Sequence, residues 1–83
     1  MKILYFAWLR QKIGRAEESF DLPAGISTVE ALVAALRARG PGYAEAFKDL
    51  SRIKAAVNQE HVAFDAPVAA SDEVAFFPPV TGG

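Results

Sequence analysis

The chain has 83 residues, 52% of them hydrophobic, which is enough for one small domain with one core. Nine Lys and Arg against ten Asp and Glu leave a net charge of −1, without the basic excess that nucleic-acid binding needs. No apolar run is long enough for a membrane span, and the N-terminal stretch lacks a secretory cleavage pattern. We therefore expect a cytoplasmic protein that binds neither nucleic acid nor membrane.

The side chains available for chemistry are few, because the chain has no cysteine and a single histidine, His61. The absence of cysteine excludes a thiolate nucleophile, a persulfide-carrying side chain and a zinc–thiolate ligand. A Ser-His-Asp triad would have to include His61, which has no nucleophile near it in the sequence. We expect no metal site and no bound cofactor.

The first predicted element is a strand over Lys2–Leu9, an apolar and aromatic run. A short helical turn follows over Arg10–Ile13, and Gly14 is predicted to end it as a left-handed cap. A second strand over Glu17–Leu22 alternates in polarity. Glu18, Phe20 and Leu22 share one face of it, and Phe20 and Leu22 are predicted to face inward.

The main helix is predicted from a capping box at Ser27–Glu30, in which the Ser27 hydroxyl accepts from the Glu30 amide. Apolar residues then recur at helical spacing, and Gly40–Gly42 ends the pattern. The apolar face is formed by Val29, Leu32, Val33 and Leu36.

The second half of the chain alternates between turns and short strands. A short helix over Tyr43–Leu50 is predicted to fill the core, and Pro78-Pro79 ends the last strand because proline donates no ladder hydrogen bond. The predicted strands are Ile53–Val57, His61–Phe64 and Glu73–Phe77, with a turn at Asn58–Glu60 between the first two.

This order predicts an α+β domain over residues 1–77, with a mixed sheet and one main helix packed across it. The first and last strands are expected to form a central parallel pair. The face toward the helix is predicted to carry Ile3, Tyr5, Val57, Val62, Val74 and Phe76. The opposite face is predicted to carry Phe6, His61 and Phe77.

Residues 78–83 are predicted to form an extended, flexible tail. Pro78 and Pro79 favour extended backbone, and Gly82 and Gly83 have no side chain to obstruct a narrow site. A terminal carboxylate has a pKa of about 3.5 and is therefore ionised and a poor electrophile at neutral pH. A partner enzyme would have to convert it to an acyl adenylate, from which a sulfur nucleophile could displace AMP and leave a thiocarboxylate.

The segment Asp72–Gly83 (DEVAFFPPVTGG) resembles the small subunit of molybdopterin synthase, a family of ubiquitin-like sulfur carriers. Lys2–Phe6, Ser27–Leu32 and Ala55–Gln59 are similar to the same family in the same order, so the likeness covers nearly the whole chain. The resemblance implies a β-grasp fold that is not an enzyme on its own.

The resemblance also implies a set of partners. A ubiquitin-activating-like enzyme would use ATP to adenylate Gly83, and a sulfur donor would complete the thiocarboxylate. Two carriers and two large subunits would form a heterotetramer, in which sulfur passes to cyclic pyranopterin monophosphate during molybdenum cofactor synthesis.

In the family, the partner contacts correspond to Phe6, Arg10, His61 and Phe77 of this sequence. The tail residues Pro78, Pro79, Val80 and Thr81 would enter the large subunit, with Gly82 and Gly83 at the reacting end. His61 departs from the family, where an apolar residue is expected, and this departure would make the contact weaker or sensitive to pH.

Three alternatives stay open from the sequence. The chain could carry sulfur for thiamin or cysteine synthesis, although the Phe-Phe-Pro-Pro base favours molybdopterin. It could be a ubiquitin-like modifier that Gly83 joins to lysines of other proteins. It could also be a protein-binding module with an inert tail.

Overall fold

The computed structural model describes residues 1–79, which form five strands, three α-helices and one 3₁₀ turn. The strands are β1 (Lys2–Tyr5), β2 (Glu17–Ser19), β3 (Lys54–Val57), β4 (Glu60–Val62) and β5 (Glu73–Phe77). The helices are α1 (Trp8–Ile13), α2 (Val29–Arg37) and α3 (Pro41–Ala46), followed by the 3₁₀ turn at Leu50–Arg52.

The strands form one mixed sheet in the order β2-β1-β5-β3-β4. β5 lies at its centre, parallel to β1 and antiparallel to β3, so the predicted central parallel pair is confirmed. The register opposes Tyr5 and Ala55 to Phe76 on the two sides of β5. The predicted α+β class with a mixed sheet is confirmed.

The core lies between one face of the sheet and the helices. The four predicted apolar residues of α2 are all buried, and Phe47 is fully buried just after α3. From the sheet, Ile3, Tyr5, Val74 and Phe76 are buried on the same side, with Val57 and Val62 packed against them. The predicted helix-facing set is therefore confirmed.

The predicted first strand is too long, because the chain leaves the sheet after Tyr5. Ala7 has a φ of 54°, in the left-handed region, and turns the backbone into α1. This turn buries Leu9 completely in the core, as a continued strand would not. α1 consequently begins at Trp8 rather than Arg10, while Gly14 ends it in the left-handed conformation as predicted.

The cap of α2 lies one residue later than predicted. The Thr28 hydroxyl, not that of Ser27, accepts from the amide of Ala31 at 3.2 Å. The amide of Glu30 instead donates to the carbonyl of Phe64 at 2.8 Å. A loop distant in sequence thus satisfies an amide that the predicted capping box assigned to Ser27.

α2 also ends earlier than predicted, at Arg37, and Pro41 begins α3 instead of terminating α2. Proline is well suited to the first turn of a helix because its missing N–H is not needed there. Gly42 allows α3 to approach α1 closely, since a Cβ at this position would lie 2.7 Å from the carbonyl oxygen of Lys12. The short core-filling helix is confirmed, but it begins at Pro41 rather than Tyr43 and ends at Ala46 rather than Leu50.

The β3–β4 hairpin turns through Asn58 and Gln59, and β4 begins at Glu60 rather than at His61. Both turn residues have positive φ, 51° and 70°, as in a type I′ turn. Asparagine tolerates this conformation, whereas glutamine is strained in it. Gln59 is therefore the poorly suited residue of the turn.

We predict that Gln59→Gly stabilises the protein by about 0.5–1 kcal/mol, because glycine adopts positive φ without steric cost. Chemical denaturation would measure the change. The matched control Gln11→Gly, in the exposed part of α1, should instead destabilise by about 1 kcal/mol. A loss of stability in both variants would contradict the assigned turn.

A buried carboxylate, Glu18 of β2, joins the sheet to the α2–α3 region. Its side chain is 4% exposed and accepts hydrogen bonds from the hydroxyls of Tyr5 at 2.7 Å and Tyr43 at 2.8 Å. The guanidinium of Arg39 donates to it at 2.7 Å and that of Arg15 at 3.3 Å. The predicted alternation puts Glu18 on the face of Phe20 and Leu22, but no pattern in the sequence indicates a buried carboxylate or these partners.

The network sets the protonation of Glu18. Burial by itself would raise the pKa of the carboxyl, but the hydrogen bonds from Tyr5, Tyr43 and Arg39 outweigh it and lower the pKa. Burial and the same carboxylate raise the pKa of Tyr5. Because its folded-state pKa is depressed, Glu18 stabilises the fold above its unfolded pKa and loses that effect as the pH falls through the folded value.

We expect Glu18→Gln to destabilise the protein by about 2–3 kcal/mol at pH 7, because the two tyrosine hydroxyls and Arg39 lose a charged acceptor. The neighbouring exposed Glu17→Gln serves as the control and should cost less than about 0.5 kcal/mol. Denaturant unfolding should show the Glu18 difference shrinking below about pH 4. A difference that is independent of pH would rule out an ionised Glu18.

Candidate functional site

The central strand β5 places adjacent aromatic residues on opposite faces of the sheet. Phe76 is fully buried against the helices, stacking on Tyr5 with ring centroids 6.4 Å apart and meeting the Phe47 ring edge-to-face at 5.1 Å. Phe77 points to the other face and is half-buried. The end of β5, directly before Pro78, therefore has one aromatic side chain packed in the core and the next one on the opposite face.

The other end of β5 is held by a clasp between Asn58 and Asp72. The Asn58 amide group donates to Asp72 at 3.0 Å, and its oxygen accepts from the backbone N–H of Glu73 at 3.0 Å. Asp72 also accepts from the backbone amide of Ala69 at 2.8 Å. The Asn58 side chain and that backbone amide lower the pKa of Asp72, so the Asp72 carboxyl group is ionised at neutral pH.

Around Phe77 there is a groove of about 490 Å³, lined by Phe77, Lys54 and His61 together with Ala55, Val62 and Ala63. The imidazole of His61 lies against the Phe77 ring, with centroids 5.2 Å apart. Lys54 is the register partner of Phe77 on β3. We call the surface formed by Phe6, Lys54, His61 and Phe77 the Phe77 face.

Phe6 belongs to this face by register. Its backbone amide donates to the carbonyl of Phe76 at 3.1 Å, which continues the β1–β5 ladder by one residue and brings Phe6 next to Phe77. The Phe6 side chain is 49% exposed, more than expected for a core aromatic. Arg10 is exposed on α1 and is not part of the sheet face.

The predicted tail is only partly described. Pro78 is half-buried and Pro79 is exposed after the end of β5. Val80, Thr81, Gly82 and Gly83 lie outside the described residues, and so does the predicted extended course of this segment. The reacting group expected at Gly83 therefore stays a prediction.

A second groove, of about 230 Å³, lies between α1 and the end of α3. Its charges are largely satisfied: Lys12 and Lys48 pair with Glu45, and the Arg52 guanidinium lies 5.7 Å from the centre of the Trp8 ring. Over residues 1–79 there is no group of three or more His, Asp or Glu side chains arranged to hold a metal ion. Within the same range, no helix is both long and apolar enough to cross a membrane.

Lys54 is the residue of this face that the sequence analysis missed. It lies in an apolar, alternating run and has the same parity as Ala56, whose register partner is His61. This alternation along the strand was the sequence signal that could have identified Lys54, because it places the lysine on the same face as His61 and Phe77. Its position opposite Phe77 depends on the β3–β5 register, which the sequence did not fix.

Comparison with known families agrees with this architecture. The model of the ThiS family matches residues 3–83, almost the entire chain. The chain belongs to the ThiS family. The family likeness expected from the terminal motif is confirmed by a relative over the full length: the molybdopterin synthase sulfur carrier subunit of Escherichia coli is 45% identical over 83 residues, which is 100% of this chain and 99% of the relative.

Solved structures confirm the β-grasp fold. The chain matches SAMP1, the small archaeal modifier protein 1 of Haloferax volcanii, with a TM-score of 0.77 and 33% identity, covering 100% of this chain and 98% of the other. It also matches the complex of subunits 1 and 2 of molybdopterin-converting factor from Helicobacter pylori, with a TM-score of 0.61, covering 99% and 96%. At 22% identity, the second match shows the shared fold alone.

We predict that the adjacent variants Phe76→Ala and Phe77→Ala differ sharply in stability. Phe76→Ala should cost about 3–5 kcal/mol, because it empties the centre of the core. Phe77→Ala should cost about 1 kcal/mol, because its ring lies on the outer face. Denaturant unfolding of both variants would measure this, and equal losses would show that Phe77 is a core residue rather than a surface for partners.

Proposed function

We propose that the chain is the sulfur carrier subunit of a molybdopterin synthase. The observation that carries this proposal is the full-length 45% identity to the Escherichia coli protein of that name. The geometry supports it, because β5 is anchored at both ends and brings Phe77 to the end of the central strand, directly before Pro78. A carrier needs this combination of a rigid base and a segment that can reach a partner's site.

The reacting group in this proposal is the backbone carboxylate of Gly83. An activating enzyme joins it to the AMP portion of ATP and releases diphosphate. Hydrosulfide supplied by the donor system then attacks the carbonyl carbon, the bond to AMP breaks, AMP leaves, and a thiocarboxylate forms. The absence of cysteine is consistent with this chemistry, since no side chain of this protein can hold the sulfur.

The proposed partner is the large subunit of the synthase, with two copies of each chain in a heterotetramer. Phe6, His61 and Phe77 provide its contact on this chain, and residues 78–83 enter its active site. The large subunit contributes the acid–base groups and the binding site for cyclic pyranopterin monophosphate. Two sulfurs are needed for each dithiolene, so the carrier is recharged between transfers.

A second candidate function is protein modification, in which Gly83 forms an amide bond with lysines of other proteins. The 33% identity and TM-score of 0.77 to an archaeal modifier protein favour it. Both functions use an activated Gly83, so the fold does not distinguish them. The fate of the activated carbonyl does: transfer of sulfur in one case, attachment to an amine in the other.

We predict that deleting Gly83 abolishes molybdopterin formation in cells that lack the native gene, because the adenylated carbonyl would be displaced by one residue. Molybdoenzyme activity measures this outcome. Circular dichroism and binding to the large subunit should match the full chain, which excludes misfolding as the cause. Normal molybdoenzyme activity after the deletion would refute the proposal.

Intact-mass analysis of the protein from its native host separates the two candidates. A carrier should show the mass change of one oxygen replaced by one sulfur, at the fragment that contains Gly83. A modifier should show high-mass adducts in which Gly83 is linked to lysine. Adducts without any thiocarboxylate would favour protein modification over sulfur transfer.

A further inference from the structure

The lysines of this chain differ in whether an acidic group compensates their charge. Lys2 pairs with Glu17 at 3.2 Å, and Lys12 and Lys48 pair with Glu45 at 3.7 and 2.9 Å. Lys54 is the fourth lysine, and no carboxylate in residues 1–79 lies within 4.0 Å of it. Its ammonium group is therefore balanced by solvent alone in the described part of the chain.

Lys54 lies where a partner would contact the chain, because it lines the groove that also contains Phe77 and His61. Among residues 1–79, none of those that line this groove is acidic. The nearest candidates by register are remote: Glu60 alternates to the other face of β4, and Glu73 lies four residues before Phe77 on β5. The groove at the base of the tail is consequently cationic.

A partner that covers Phe77 must also remove water from Lys54. Removing water from an ammonium group is unfavourable unless an anion or strong acceptors replace the water. A purely apolar partner surface would therefore be penalised at this groove. A carboxylate placed opposite Lys54 would remove the penalty and would also speed association through charge attraction.

We propose that Lys54 makes the Phe77 face selective for an acidic partner surface, on which at least one carboxylate pairs with Lys54. This inference rests on the proposed function, in which the partner is the large subunit of the synthase. Phe77 provides the apolar anchor, and the lysine beside it discriminates between partners. Selectivity of this kind works against surfaces that leave the lysine unpaired.

The test measures binding of the full chain to the large subunit from the same organism by isothermal titration calorimetry. Lys54→Glu should raise the Kd about tenfold or more at pH 8, with a weaker salt dependence than the wild-type complex. Lys48→Glu is the matched control, since it makes the same change in net charge on a different surface. Its Kd should stay within about twofold of the wild type. Circular dichroism of each variant confirms that it is folded.

The outcomes separate this inference from the proposed function. If the wild type binds the large subunit and Lys54→Glu binds equally well or more tightly, the acidic-partner inference fails while the proposed function stands. Equal weakening by Lys54→Glu and Lys48→Glu would also overturn it, because the effect would reflect net charge alone. If the wild type does not bind the large subunit at all, the proposed function and this inference fall together.

Discussion

Pairing of β5 on both of its edges is the constraint on which the rest of the molecule depends. β1 and β3 hold the strand from either side, and the alternation along it sends Phe76 into the core and Phe77 to the opposite face. The same strand therefore completes the hydrophobic core and forms the Phe77 face, which is the proposed partner surface. A shift of one residue in register would exchange these two roles, so stability and function are specified by the same hydrogen bonds.

Two polar arrangements fix the elements around this strand. The clasp between Asn58 and Asp72 joins the β3–β4 turn to the start of β5, and Glu18 joins β2 and β1 to Arg39 and α3. Glu18 is buried and its acceptor oxygens have several donors, which distinguishes it from the exposed ion pairs on the surface. Such a network favours one packing of the helices on the sheet, because any other leaves a carboxylate unpaired.

The lysines on the two sides of the protein differ in whether a carboxylate of the same chain pairs with them. Near α1 and α3 the lysines are paired within the chain, whereas Lys54 on the Phe77 face is not paired within the described residues. The proposed function requires an activating enzyme, a sulfur donor and a synthase to recognise this small chain through a limited surface. A charged side chain beside an aromatic anchor discriminates between partner surfaces without requiring a larger contact area.

Local pattern in the sequence was sufficient to predict the strand alternation, the apolar face of α2, the Gly14 cap and the family likeness of the terminal motif. Each of these depends on residues close together in the chain. The tertiary structure decided the turn at Ala7, the shift of the α2 cap to Thr28, the partners of Glu18 and the position of Lys54 opposite Phe77. These depend on groups far apart in the sequence, such as the Phe64 carbonyl that accepts from the Glu30 amide, and such pairs meet only when the sheet register brings them together.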